Sequence, residues 1–455
     1  MPQFSCIVSL VLACANPAAA LGDSRLELDA TTRTVPAANS PAGGPKGPTE
    51  AKSPLVVVLA ADQIVEGSGG PRVVHDFRAR RIYRVAADGL SYADESLFPV
   101  LGHRVMEFQN RRKLGGLLKG IAVEGEPLPV PLGEQLFSLD DPDDAAKIDR
   151  KVEGGVISYA WQGRPLASWS EKVVAMPAEQ RERFAMFIRY RYGGHPAILS
   201  ALQRLDGVPE RLALTIYDLG GTTTTTLLLK SRTEVEGRPF STDGLRKTVP
   251  AVEGPLAPLL REAGDDTPAD HARRADAILA RAKRALLDKK GLDAFLALTE
   301  YGIQVGKPAP GVNQAEIAPL VSNDPDARSL FSALQTPEDA RAAASGIRKL
   351  QALQGHADEP GRHLLKVFEA NNTAATGDLN RAETLFVEAI SANRSLAGAW
   401  KDLGDLRLRD FDMRGAWICW DLARSISPGH DMVKPINDLE SRLVKDHPEY
   451  FRLGP

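Results

Sequence analysis

Ala382, Phe386 and Ala389 return at an offset of 34 residues, from 382 to 416, as Ala416, Trp420 and Ala423. A recurrence at that spacing confines the last part of the chain to stacked helix pairs, because each unit can bury its apolar face only against the next. In the second copy the set is preceded by Trp400, Leu403 and Gly404 and followed by Pro428. Gly404 and Ala416 let two antiparallel helices approach closely, Trp400 and Trp420 fill the holes between successive pairs, and Pro428 stops the second helix. The first copy, about 363–396, keeps Gly377-Asp378 at its turn but carries Lys366, Glu369 and Ala370 where the second has Trp400, Leu403 and Gly404. Farther on, Ile436, Leu439 and Leu443 share one face of a helix over 433–446 whose other face is charged, the pattern of a solvating cap.

This set resembles the tetratricopeptide repeat over 363–430: W-x2-L-G, then A-x3-aromatic, A and a closing Pro, with Arg407 standing where the family has tyrosine. The resemblance implies two repeats there. It also implies a concave face, lined by the first helix of each unit, that takes a peptide or a partner protein. The positions matching the family's groove are Lys401, Asp405, Leu408 and Arg409, with Asn371 in the first copy. Lys401 and Arg409 would offer charge to acidic or C-terminal carboxylate groups. Two repeats make a shallow groove, so the elements before them must supply packing.

Those elements divide into two regions. From Gly254 to Arg362 the pattern is helical throughout, with Thr267, Pro268 and Asp270 forming an N-cap, a first-turn proline and an acidic first turn. Between Leu55 and about Val249, short β-type runs alternate with a few helical ones. Strands are expected at Leu55–Leu59, Arg72–Phe77, Arg81–Val85 and Gly155–Trp161, and a hairpin at Arg211–Tyr217 and Thr222–Lys230. The threonine run ending at Thr226 is β-branched and fits a strand. Helices are expected over 97–112 and 177–205, the second broken at Gly193-Gly194. The expected fold is α+β: a β-rich α+β domain over 55–250, an all-α helical-hairpin region over 254–430, then a capping helix and tail over 431–455. The strand-helix-strand pattern also loosely resembles the half-barrel of periplasmic lipoprotein carriers. That likeness implies a second reading, a carrier of a lipid or other hydrophobic ligand held inside the sheet's curvature.

The N-terminus reads as an address. Ile7 to Ala13 is an apolar run too short for a bilayer, which takes about 20 residues, and Ala18-Ala19-Ala20 suits a signal peptidase. Residues 1–20 are therefore expected to be an export signal, with cleavage after Ala20. Val11-Leu12-Ala13-Cys14 resembles the bacterial lipobox, which would instead leave a lipid on Cys14 as a membrane tether. The expected location is the periplasm or cell envelope. The stretch from Gly22 to Pro54, with Pro36, Pro41, Pro45 and Pro48, reads as a disordered linker. Cys419, between Ile418 and Trp420 on a helical stretch, reads as a small buried hydrophobe.

Charge and motifs narrow the function. With 56 Lys+Arg against 59 Asp+Glu, the chain has no basic excess to displace counterions from phosphates, so no nucleic-acid partner is expected. The eight histidines are scattered, with no H-E-x-x-H. His195 reads as a helix start. Asp140, Asp141, Asp143 and Asp144 lack the EF-hand order, and Glu66 to Gly70 lacks the Gly-Lys-Ser/Thr of a phosphate loop. No G-x-S-x-G elbow occurs. The expected protein is non-catalytic, without metal or cofactor, an interaction module or scaffold for an envelope protein or peptide.

Overall fold

The computed structural model describes residues 22–37, 47–67, 70–118, 128–141, 147–237 and 239–451. The first half opens with strands β1 (Asp23–Pro36), β2 (Thr49–Leu59), β3 (Gln63–Gly67), β4 (Arg72–Asp76), β5 (Arg81–Val85) and β6 (Ser91–Ser96). Helices α1 (Phe98–Leu118) and α2 (Val130–Phe137) follow, then β7 (Asp149–Glu153), β8 (Val156–Trp161), β9 (Arg164–Ser170) and β10 (Val173–Ala175). After α3 (Ala178–Tyr192) and α4 (Pro196–Gln203) come β11 (Gly207–Pro209), β12 (Arg211–Asp218), β13 (Gly221–Val235) and β14 (Arg246–Thr248). All but β10 and β11 join one twelve-stranded sheet in the order β14-β6-β5-β4-β3-β2-β1-β13-β12-β9-β8-β7.

The linker expected over 21–54 is corrected here. β1 and β2 are the middle of the sheet: Asp23 to Pro36 pairs with β13 on one side, and Ser24 to Thr34 with β2 on the other. The two-residue alternation of Leu26, Leu28 and Ala30, all buried, against exposed Arg25 and Glu27 specifies this strand. The prolines of the stretch had suggested otherwise. Pro36 ends β1, and Pro54 sits in β2 ahead of Val56–Leu59, the part that pairs with β3, so its missing N–H costs no bond there. Pro41 and Pro45 lie outside the described residues, as do the export signal and Cys14.

The hairpin around Leu219-Gly220 forms as expected, Asp218 opposite Gly221 and the threonine run inside β13. One sheet face is packed by α2 on β12 and α3 on β2. The curvature expected to hold an apolar ligand is filled at mid-sheet by Leu26, Val57, Leu59, Phe184 and Phe187. The break between α3 and α4 falls at Gly193 and Gly194, whose φ of 87° and 123° favour glycine.

The second half is all helix: α5 (Leu256–Gly264), α6 (Pro268–Leu287), α7 (Gly291–Val305), α8 (Gln314–Asn323), α9 (Pro325–Ala333) and α10 (Ala340–Leu353). Then come α11 (Glu359–Thr376), α12 (Leu379–Ala392), α13 (Ala397–Arg409), α14 (Met413–Ile426) and α15 (Lys434–Asp446). Thr267 and Asp270 form a reciprocal capping box at the start of α6. No helix among the described residues is long and apolar enough to cross a membrane.

The two halves meet across a wide contact. The ring of Trp417 on α14 lies where a side chain at Gly102 of α1 would be, 2.8 Å from that missing Cβ. Arg414 reaches Glu95 of β6 at 2.6 Å, and Arg81 of β5 reaches Asp421 of α14 at 2.7 Å. The chain then returns past α15, and Tyr450 enters the sheet half with no exposed surface.

Candidate functional site

The helix pairs α11/α12 and α13/α14 were expected to carry the binding face, and their packing uses the recurring residues. Ala382, Phe386, Ala389, Trp400, Leu403, Ala416, Trp420 and Ala423 are all buried. A Cβ at Gly404 would stand 2.4 Å from Trp420 Cδ1 and 3.0 Å from the Ala416 carbonyl oxygen, so only glycine lets α13 and α14 lie this close. Pro428 falls just past the end of α14. Arg407, in the tyrosine position, ion-pairs with Glu383 of α12 and reaches Asp412 at 2.7 Å. It ties the two pairs together by charge in place of a ring.

Gly404→Ala is expected to cost about 2 kcal/mol, the overpacking penalty less the helix preference of alanine. Gly302→Ala on α7, where an added Cβ meets nothing within 4 Å, should instead gain about 1 kcal/mol. Urea midpoints of the two variants moving in opposite directions would bear this out; both rising would refute the close approach at Gly404.

The groove candidates fall into one polar chain. Asn371 on α11 donates to Asp402 Oδ2 at 3.0 Å, and Lys401 Nζ lies 3.5 Å from Asp402 Oδ1 and 2.6 Å from Asp405 Oδ2. Asp405 Oδ1 accepts from Trp420 Nε1 at 3.1 Å. Burial draws the Lys401 ammonium down, but Asp405 and Asp402 outweigh it and hold it above the ordinary lysine value. Burial likewise raises Asp402, against the Asn371 bond and Lys401. Arg409 donates to the Ala374 carbonyl oxygen at 3.0 Å, at the end of α11, and Leu408 is half-buried against the core. The Lys401 charge is thus matched within the fold by Asp402 and Asp405, whereas Arg409 is exposed and gives a hydrogen bond to a neutral carbonyl, which leaves its charge without a carboxylate partner among the described residues. Asp402 was missed from sequence, where nothing marks it as the residue of α13 that turns toward α11.

Helix α7 runs across the starts of these pairs. Asp293 accepts from the Asp358 amide at 3.1 Å, Ile303 packs against Gly398, and His430 Nε2 donates to the Gly302 carbonyl at 3.2 Å. Between them, Glu300 receives His363 and Asn393.

The other sequence candidates have structural places. His195 caps α4, its Nδ1 accepting from the Ala197 amide at 3.2 Å while Nε2 lies 3.1 Å from Glu134. Asp141 pairs with Arg112 at 2.8 Å; Asp143 and Asp144 lie outside the described residues. Among the described residues no group of three or more His, Cys, Asp or Glu is placed to hold a metal. Cys419 is fully buried, which pushes its thiol up to about 12.

A cleft of about 480 Å³ opens between α4 and the β7 end of the sheet. Its floor is Ile157 and Tyr159 of β8 with Trp169 of β9, the last two rings 4.8 Å apart. Ala197 and Ala201, one turn apart on α4, form the roof, and their small size leaves the gap unfilled. Arg150 of β7, directly opposite Tyr159 in the ladder, and Arg204 at the end of α4 complete the lining. The Trp169 Nε1–H, in this wall, has no hydrogen-bond partner among the described residues. Sequence reading missed the cleft. No protein-family model matches the chain, and no curated protein matches its sequence.

Proposed function

We propose that the chain is a non-catalytic protein-binding module of the bacterial cell envelope, with α11 to α14 acting as tetratricopeptide-like repeats on a rigid α+β base. The observation that carries this reading is the contact of Trp420 with the backbone of Gly404, in which each residue type of the repeat does the job that its size allows. The exposed Asn371 and Arg409 lie on the first helices of the two pairs and mark the face offered to a partner. In this reading the protein reaches the envelope by its N-terminal signal, cut after Ala20 or lipidated at Cys14.

On this face Lys401 is neutralised by Asp402 and Asp405, so any charge offered to a partner comes from the exposed Arg409. A photo-crosslinking side chain placed in the full chain, in its own envelope, at Asn371 or Arg409 should yield one adduct of discrete mass. The same group at Arg341 on α10 or Lys445 on α15, also exposed, should not. Equal adducts at all four positions, or none at any, would remove the reading.

A further inference from the structure

We propose that the cleft between α4 and strands β7 to β9 binds a single-tailed carboxylate, its chain against Ile157, Tyr159 and Leu205 and its head group between Arg150 and Arg204. This site is separate from the helix pairs and stands without them. It also moves the apolar ligand expected inside the sheet's curvature to the sheet's β7 end, since mid-sheet is solid.

Size comes first. About 480 Å³ falls within the range of about 300–1,000 Å³ usual for small-molecule sites, which combine apolar walls with a few converging polar groups. The walls here are aliphatic and aromatic, and the lining residues with polar side-chain atoms are Arg150, Arg204, Tyr159 and Trp169.

Charge decides the ligand class. Among the described residues, neither Arg150 nor Arg204 has an ion pair or side-chain hydrogen bond, and no carboxylate lines the cleft. Other guanidiniums in this half are matched, Arg84 with Glu95 at 3.0 Å, Arg111 with Glu107 at 2.8 Å and Arg191 with Glu66 at 2.5 Å, while Arg33, Arg72 and Arg80 stand exposed on the surface; Arg150 and Arg204 differ from these in lining one apolar cleft together. The two at the cleft come from a strand and a helix end far apart in sequence, yet border one apolar space. A guanidinium fork suits a carboxylate, which can take parallel N–H donors from it. A neutral lipid would leave both cations unanswered, and a bare small anion would leave the apolar walls wet.

The test uses calorimetry on the full chain with three probes below any micelle concentration. Decanoate carries tail and charge, decanol the tail alone, acetate the charge alone. Decanoate should bind one to one, at least tenfold tighter than either of the others, and weaken as salt is added. Arg150→Gln with Arg204→Gln should cost decanoate tenfold or more and leave decanol unchanged; both positions are exposed, so the fold is retained. Ala201→Trp, which fills the cleft, should abolish decanoate binding while thermal unfolding stays cooperative. Equal affinity for decanol and decanoate, or a double variant that binds decanoate like the parent, would overturn the charge assignment. No saturable decanoate binding would overturn the site.

Discussion

Tyr450→Ala is expected to lower the stability of the protein by about 4 kcal/mol, within the usual range for removing a large buried ring. The residue has no exposed surface and closes the joint between the two halves. Its hydroxyl accepts from Arg104 Nη1 and donates to the Phe137 carbonyl oxygen, each at 2.9 Å. Its own carbonyl accepts from the Tyr190 hydroxyl at 2.9 Å. The ring stands edge-on to Tyr190 at 5.5 Å, with Arg189 5.2 Å from its centre. Burial holds the Arg189 guanidinium below its ordinary value, and that cation would lose its ring partner in the alanine variant.

Tyr450→Phe, which removes only the hydroxyl, should cost about 1–2 kcal/mol. The position also predicts a local effect. Amide exchange in α1 and α3, which the ring bridges, should quicken in the alanine variant before global unfolding does. Denaturation midpoints for the three proteins, read with exchange, test this. An alanine variant that melts like the parent would mean that the joint is held elsewhere, by Arg414 and Arg81.

What the sequence made readable was local. The capping box at Thr267, the break at Gly193 and the 34-residue recurrence each depend on neighbours along one or two helices, where residue type and spacing decide the outcome. What it hid was non-local. β1 was obscured because the prolines at its end and beyond it, Pro36, Pro41, Pro45 and Pro48, outweighed a clean two-residue alternation, and its partner β13 lies some two hundred residues away, Asp23 opposite Val235. Asp402 could not be singled out, since its role comes from Asn371 on a different helix. The cleft draws on three strands and a helix, and its emptiness follows from two alanines unremarkable in sequence. Tyr450, near the chain's end, read as tail because its partners Arg104, Phe137 and Tyr190 are all in the other half.

Glu300→Ala should cost about 3 kcal/mol, because it strips the shared acceptor from donors on three different helices. Glu300 is 1% exposed on α7. One oxygen accepts from His363 Nε2 at 2.8 Å and from Asn393 Nδ2 at 2.7 Å, and the other pairs with Arg281 of α6. His363 opens α11 and Asn393 closes α12, so α7 holds the first helix pair through this one carboxylate. Burial alone would raise its pKa. The bond from His363 and the charge of Arg281 outweigh burial and hold it below the ordinary glutamate value. A carboxyl that is more acidic folded than unfolded contributes its full stability above the ordinary value of about 4.3, and loses it as pH falls through the depressed folded value. Glu300→Gln keeps the shape and removes the charge, so its stability should fall less steeply than the parent's below about pH 4.3. Urea titrations from neutral pH downward would separate the two curves. If they run parallel, the carboxylate is not what holds α7 to α11, and the seating of the helix pairs must come from the packing of Ile303 on Gly398.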